Sequence, residues 1–296
     1  MGHELWTSPI YGYRRKGTRL ADLRRVIEDG ITARAILEPL QSCRAGSLAQ
    51  EAKEILDRRD FDVAGVKETE NGPVTGWVSQ EVLDTGIVRD RARPISTDNL
   101  LADATPLPQV LDVLRERAYA FVLVGSKVAG IVTRADLNKP PVRVYLFGLV
   151  SLLEMHLSFW IRSECREDSW QAHLSKKRLD KAMRMQQLRR RRNQDPYLAQ
   201  CLQFCDKRDL VVRLSSVRDS LSLGTERQAT IFLQRVENLR DGLAHGQYDL
   251  AEGSTWEKTV GLAERMDEVV RISDDHVEKK VQKAPRRHSD ELWAST

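Results

Sequence analysis

Gly130-Ile131-Val132-Thr133-Arg134-Ala135-Asp136-Leu137 is the stretch that decides the fold of the front of this chain, because an earlier one, Gly76-Trp77-Val78-Ser79, begins in the same way. Upstream of each lies the same order of elements. Before the first, a helical period covers residues 48–59, with Leu48, Ala52, Ile55 and Leu56 on one stripe. β-like runs follow at 62–66 and 74–79, split by the turn formers Asn71-Gly72-Pro73. Before the second, residues 107–117 put Val110, Leu111 and Leu114 inward, and strands are expected at 121–124 and 128–133 around Gly125-Ser126. Two such units about 55 residues apart are an internal repeat, the unit of a shared core.

The texture changes after Pro140-Pro141. Strand patterns stop, and helices are expected at 142–161, 170–192, 197–213, 226–244 and 256–272. The fourth has the clearest start, a capping box of Thr225 with Gln228. Its apolar stripe is Phe232, Val236, Leu239 and Leu243, and Gly246 is its stop. The fold class is therefore α+β. The expected organisation is a lead-in at 1–21 with a short helix over 20–27, a repeat module at 22–139, an all-helical domain at 140–275 and a polar, partly disordered tail at 276–296.

Composition narrows the classes of function. The chain has 296 residues and 41% hydrophobic content, enough for two cores. Its most apolar run, 142–161, is interrupted by Arg143, Glu154 and His156, which suits a buried helix and no membrane span. Residues 1–16 lack the apolar centre of a signal peptide, so a cytoplasmic protein is expected. Cys43, Cys165, Cys201 and Cys205 match neither a disulfide framework nor a zinc ribbon, so no metal is expected. Cys201 and Cys205 fall on one face of an expected helix and read as core residues.

The net charge is only +4, but its distribution is uneven. Lys176, Lys177, Arg178, Lys181, Arg184, Arg189, Arg190, Arg191 and Arg192 form a cationic tract broken by Asp180. Such a tract can neutralise RNA phosphates, but taken alone it reads more readily as a solvated helix face. Glu154, His156 and Asp206 read as satisfied structural groups.

The Gly-x-x-Thr-x-x-Asp pattern at 130–136, on a repeated unit, resembles the CBS family. The resemblance implies one disc made of two units, with clefts for an adenosyl ligand such as AMP or ATP. Thr133 and Asp136 would read the ribose, apolar backbone near Ala120, Phe121 and Val122 would sandwich the base, and Ser79 would serve the first cleft. Val82 stands there in place of the acid, which weakens that cleft. The alternative is that Thr133 caps the following turn and Asp136 is its first-turn acid.

Asn238-Leu239-Arg240-Asp241-Gly242-Leu243-Ala244-His245-Gly246 resembles the signature of the HEPN ribonucleases, an Arg followed by a polar residue and, a few positions on, a His. Arg271 and His276 share the bare spacing, but Ile272 fills the polar slot and Ser273, Asp274 and Asp275 are expected to leave the core. The resemblance implies a metal-independent endoribonuclease of stress response or antiviral defence. Its toxic activity would be held in check by a neutralising partner protein and gated by the nucleotide. His245 would move protons and Arg240 would stabilise phosphate charge, with Asp241 and Asn238 orienting the pair. The products would be a 2′,3′-cyclic phosphate and a 5′-hydroxyl. Five positions on a helix turn side chains by about 140°, so Gly242 and Gly246 would have to loosen the last turn. The family builds its site across a two-fold axis, so a homodimer is implied. Tyr248 lies close enough in sequence to contribute. The alternative is a non-catalytic module that binds RNA or protein, its affinity or dimerisation tuned by the front half.

Overall fold

The structure, a computed structural model, describes residues 25–26, 30–194, 196–252 and 254–283. The lead-in, most of the short helix expected at 20–27 and the end of the tail lie outside the described residues. Two compact units emerge, Arg25–Val144 with Ala251–Val260, and Tyr145–Leu250 with the chain from Gly261 onward.

The first unit contains β1 (Glu38–Pro39), β2 (Ser42–Arg44), α1 (Ala49–Arg59), β3 (Val63–Lys67), β4 (Val74–Ser79), β5 (Arg93–Pro94), β6 (Leu100–Ala102), α2 (Leu107–Glu116), β7 (Tyr119–Val124) and β8 (Lys127–Thr133). They form two four-stranded sheets, ordered β2-β3-β4-β5 and β1-β8-β7-β6. The strands β1, β2, β5 and β6 are absent from the sequence expectation. At two or three residues each, they are too short for alternation to show.

These short strands make the repeat interlock. The lead strand of the first repeat, β1, pairs antiparallel with β8 of the second. The lead strand of the second, β5, pairs antiparallel with β4 of the first. The registers match: Pro39 faces Gly130 and Pro94 faces Gly76. Both prolines sit on edge strands, where a missing N–H costs no ladder bond. Both hairpins also slip register at the same point, between Val66 and Lys67 and between Val122 and Leu123. The glycines are there for space. A β-carbon at Gly76 would lie 2.8 Å from the Arg93 carbonyl oxygen, and one at Gly130 would lie 3.2 Å from a Leu37 methyl.

Each helix closes its sheet with small or branched side chains. Helix α2 buries Leu107, Val110, Leu111 and Leu114, starting from Pro106 and Pro108. Helix α1 buries Ala49, Ala52 and Leu56, but Leu48 and Ile55 of the expected stripe are exposed. It ends on Asp60 in the left-handed region, with φ 56°. Trp77 of β4 meets Tyr119 and Phe121 of β7, with ring centroids 5.7 and 5.9 Å apart, and Arg93 sits 5.5 Å over the indole.

The second unit is helical: α3 (Pro140–Glu164), α4 (Lys176–Arg190), α5 (Phe204–Arg213), α6 (Ser215–Ser220), α7 (Glu226–Ala244) and α8 (Trp256–Lys283). Two expected helices are each broken. Residues 166–173 form a tight 3-10 stretch before α4, and 198–201 form another before α5. Cys201 and Cys205 therefore belong to different elements. Helix α7 has the expected bounds and its capping box. Its buried stripe is Ala229, Leu233, Val236, Leu239 and Gly242, so Phe232 and Leu243 lie at the margin. Gly246, at φ 66°, ends it, and Gln247 N–H donates to the Gly242 carbonyl at 3.0 Å. Among the described residues, only α3 is long and apolar enough to cross a membrane, and 67% of its most apolar window is buried within the protein.

Helix α8 runs past the expected end at 272, and Ser273 is fully buried instead of leaving the core. Its hydroxyl accepts from Trp160 Nε1 at 2.6 Å and lies 2.6 Å from His156 Nδ1. The other ring nitrogen, Nε2, lies 3.4 Å from Asp274 Oδ1.

Two substitutions test this packing by chemical denaturation. Gly76→Ala drives a methyl into the exchanged strand and should cost about 1–3 kcal/mol, whereas Gly46→Ala, with open space around it, should stay within about 0.5 kcal/mol. Ser273→Ala strands two buried ring nitrogens and should cost about 1–3 kcal/mol for each. A Ser273→Ala variant as stable as the parent would refute the buried polar clasp.

Candidate functional site

Thr133 closes β8 and Asp136 lies in the tight turn that follows. Asp136 is only 6% exposed, and both of its oxygens are engaged. Oδ2 accepts from Thr133 N–H at 2.7 Å and from Thr133 Oγ1 at 3.0 Å. Oδ1 lies 2.9 Å from Lys139 Nζ, which also donates to the Ile36 carbonyl at 2.6 Å and pairs with Glu38. Burial depresses the Lys139 pKa, but Glu38 and Asp136 outweigh burial and hold it above its usual value. In this arrangement the pair Thr133–Asp136 is a capping box.

The other residues of the expected nucleotide clefts are less open than the sequence implied. Ala120, Phe121 and Val122 are fully buried, so their side chains are core and offer no open face to a base. Half-buried Trp77 and Tyr119 lie beside them, and burial pushes the Tyr119 hydroxyl upward. Ser79 precedes the turn Gln80–Val82, and Val82 packs on the first repeat's core. A separate groove of about 190 Å³ lies between β2 and α1, lined by Cys43, Arg44, Glu51, Ile55, Arg59 and Phe61. Burial raises the Cys43 thiol there.

The cationic tract forms α4 and its end. Lys176, Lys177, Lys181, Arg184, Arg190, Arg191 and Arg192 are exposed and Arg189 is half-buried. Only Ala182 of the helix is buried, and Met183, Met185 and Leu188 are exposed among the cations. The helix is closed by Asn193 at φ 57° and by Gln194 N–H donating to the Arg189 carbonyl at 3.1 Å. Arg178, also exposed, is ion-paired, to Asp209 at 2.6 Å and Asp206 at 3.3 Å.

Arg240 and His245 lie at the C-terminal end of α7. His245 is the cap residue, with φ −92° and ψ 4°, and is exposed. Its N–H still donates to the Asp241 carbonyl at 2.9 Å, so its α-carbon belongs to the last turn and the chain departs only after it. Arg240 is 38% exposed. Its Nε lies 3.6 Å from Glu154 Oε2 and its Nη1 lies 3.2 Å from Asp241 Oδ1. Asn238 is exposed and accepts from Gln234 Nε2 at 3.1 Å. Tyr248, two residues beyond the helix stop, is 92% exposed.

The polar residues read as satisfied prove to be connected. Asp206 accepts from Gln203 N–H at 3.2 Å and caps α5. Lys207, with a side chain 4% exposed, reaches Glu154 Oε1 at 2.7 Å. Arg208 binds Asp209 at 2.8 Å and also pairs with Glu237. Burial would raise the Asp209 pKa, but hydrogen bonds from Arg178 and Arg208 bring it below its usual value. The sequence signal for Lys207 was available: it shares the inward stripe of α5 with Phe204, Leu210 and Val211. Among the described residues, no group of three or more His, Cys, Asp or Glu side chains is placed to hold a metal.

No family model matches the sequence, and no curated protein matches it. Solved structures similar to the chain include a CBS-pair protein from Arabidopsis thaliana, at 20% identity and TM-score 0.33, covering 40% of this chain and 95% of that one. A second is a CBS domain pair solved in complex with 5′-methylthioadenosine and S-adenosyl-L-methionine, at 18% identity and TM-score 0.31, covering 36% of this chain and 95% of that one. A third is the CBS domain of a bacterial CNNM/CorC family Mg2+ transporter in complex with ATP, at 16% identity and TM-score 0.33, covering 42% of this chain and 94% of that one.

The depressed Asp209 carboxyl carries a pH signature. Its contribution to stability is present above the unfolded carboxylate pKa and is lost as pH falls through the lower folded value. Thermal melts from neutral pH down through the carboxylate range should therefore show a steeper loss of stability in the parent than in Asp209→Asn. Parallel curves would contradict the pairing with Arg178 and Arg208.

Proposed function

We propose that the protein is a nucleotide-regulated, metal-independent endoribonuclease of the HEPN type, with a CBS pair as its sensing half. One observation carries the catalytic part: a half-exposed guanidinium and an exposed imidazole sit on the closing turn of α7. RNA brings its own nucleophile. His245 takes the proton of the 2′-hydroxyl, or gives one to the departing 5′-oxygen, and a second copy's histidine does the other. The 2′-oxygen forms a bond to phosphorus as the bond to the 5′-oxygen breaks. Arg240 stabilises the charge that builds on the non-bridging oxygens. A homodimer supplies both pairs, and the exposed cations of α4 hold the flanking phosphates.

The sensing half is supported by the interlocked repeat and by the pattern Gly130-x-x-Thr133-x-x-Asp136. An adenosyl ligand would have to displace Lys139 from Asp136 to reach the carboxylate, which makes ligand entry compete with a contact that now closes the turn. Such competition is a route to regulation only if the ligand binds two states unequally. A role in stress response or defence, with a neutralising partner protein, follows from this reading.

A second reading, a non-catalytic RNA- or protein-binding module, is favoured by the engagement of Arg240 with Glu154 and Asp241. One experiment separates them. Purified protein is incubated with total RNA and excess chelator, with and without AMP or ATP, and the RNA ends are mapped. The ribonuclease reading expects cyclic-phosphate and 5′-hydroxyl ends, a nucleotide-dependent rate, and a loss of about 10²–10⁴-fold in His245→Ala. Binding of RNA with intact ends would favour the module, and 5′-phosphate ends that vanish with chelator would contradict the mechanism.

A further inference from the structure

We infer that Glu154, fixed by the buried ammonium of Lys207, is the positioning residue that sets the guanidinium of Arg240. The inference deepens the ribonuclease reading and rests on it for its chemical meaning. Its geometry stands independently. Glu154 sits half-buried among the apolar side chains of α3 and needs a partner there. Lys207 supplies one, because an ammonium at 4% exposure is costly unless paired, and Glu154 Oε1 at 2.7 Å is its partner. The short contact fixes the plane of the carboxylate. Its other oxygen, Oε2, then faces Arg240 Nε at 3.6 Å.

The consequence is a division of the guanidinium. Nε faces the Glu154 carboxylate from α3 as an ion pair at 3.6 Å, and Nη1 donates to Asp241 of the same helix turn at 3.2 Å. Nη2 has no partner among the described residues, and it carries two donors in the plane of the fork. Three helices thus specify the direction of one N–H pair: α5 through Lys207, α3 through Glu154 and α7 through Arg240. An arginine that only solvated the end of α7 would not need a carboxylate anchored by a buried charge.

The test uses the full chain with 15N-labelled arginine, reading the exchange of the Arg240 Nε–H with water, its resonance assigned by its loss in Arg240→Lys. Glu154→Gln should speed that exchange about tenfold. Because it also strips Lys207 of its partner, the double variant Glu154→Gln/Lys207→Met, which removes the buried charge as well, should show the same change with thermal stability recovered. Glu237→Gln, whose partner is Arg208, should leave the resonance unmoved. In RNA cleavage, both Glu154 variants should lose about 10²-fold in kcat with KM little changed, as for a misaimed group. Unchanged exchange in both variants, or parental kcat, overturns the inference. A parent chain that cuts no RNA sinks the ribonuclease reading, while faster exchange in the variants still upholds the hold of Glu154 on Arg240.

Discussion

The first unit depends on a reciprocal strand exchange. Neither repeat completes its own sheet: β1 leaves the first to border the second, and β5 precedes the second but borders the first. Each exchanged strand brings a proline against a glycine, Pro39 to Gly130 and Pro94 to Gly76. That pairing fixes register, because a one-residue slip would put a side chain where only a hydrogen fits. The matched bulges in the two hairpins, and the Trp77–Tyr119–Phe121 cluster between β4 and β7, follow from that alignment. Asp136 is drawn into the same frame. Lys139 ties it to Glu38 on the exchanged strand β1, so the buried acid of the second repeat also closes the interlock.

In the helical unit the organising force is different. The core of α3, α7 and α8 is apolar, yet three polar groups, Trp160, His156 and Ser273, meet inside it. Beside it runs a chain of charges from Arg178 through Asp209 and Arg208 to Glu237, and a second from Lys207 through Glu154 to Arg240. Apolar burial is non-directional. These hydrogen bonds and ion pairs are directional, so they select one rotation of each helix among the many that would bury the same stripe.

Much of this was legible in the sequence where a residue pattern has a single physical meaning. The capping box at Thr225 and the glycine stop at Gly246 bound α7 as expected, because both rest on local backbone chemistry. The two hairpins were visible through their turns. The two- and three-residue strands were not, since their existence depends on a partner far along the chain. The breaks at 174–175 and 202–203 were hidden for a related reason: tight 3-10 stretches carry nearly the same apolar spacing as the helices they precede. At the candidate sites, Arg240 and His245 could be named from spacing, but Glu154 and Lys207 could not be joined to them. They are dozens of positions apart, and only packing makes them neighbours. Ala120, Phe121 and Val122 show the converse, since an apolar run reads alike as a base platform and as core.

The positive charge of the helical unit comes in two populations that answer differently to ions in the surrounding medium. The side chains of α4 stand in solvent with a mobile counterion atmosphere, which a bound polyanion would release to bulk. Lys207 has its counter-charge built in, 2.7 Å away and with its own side chain 4% exposed, where the Debye screening of added electrolyte scarcely reaches. Raising ionic strength would thus weaken the surface cations of α4 toward any polyanion while leaving the Lys207–Glu154 pair in place, so that salt alone separates the two populations.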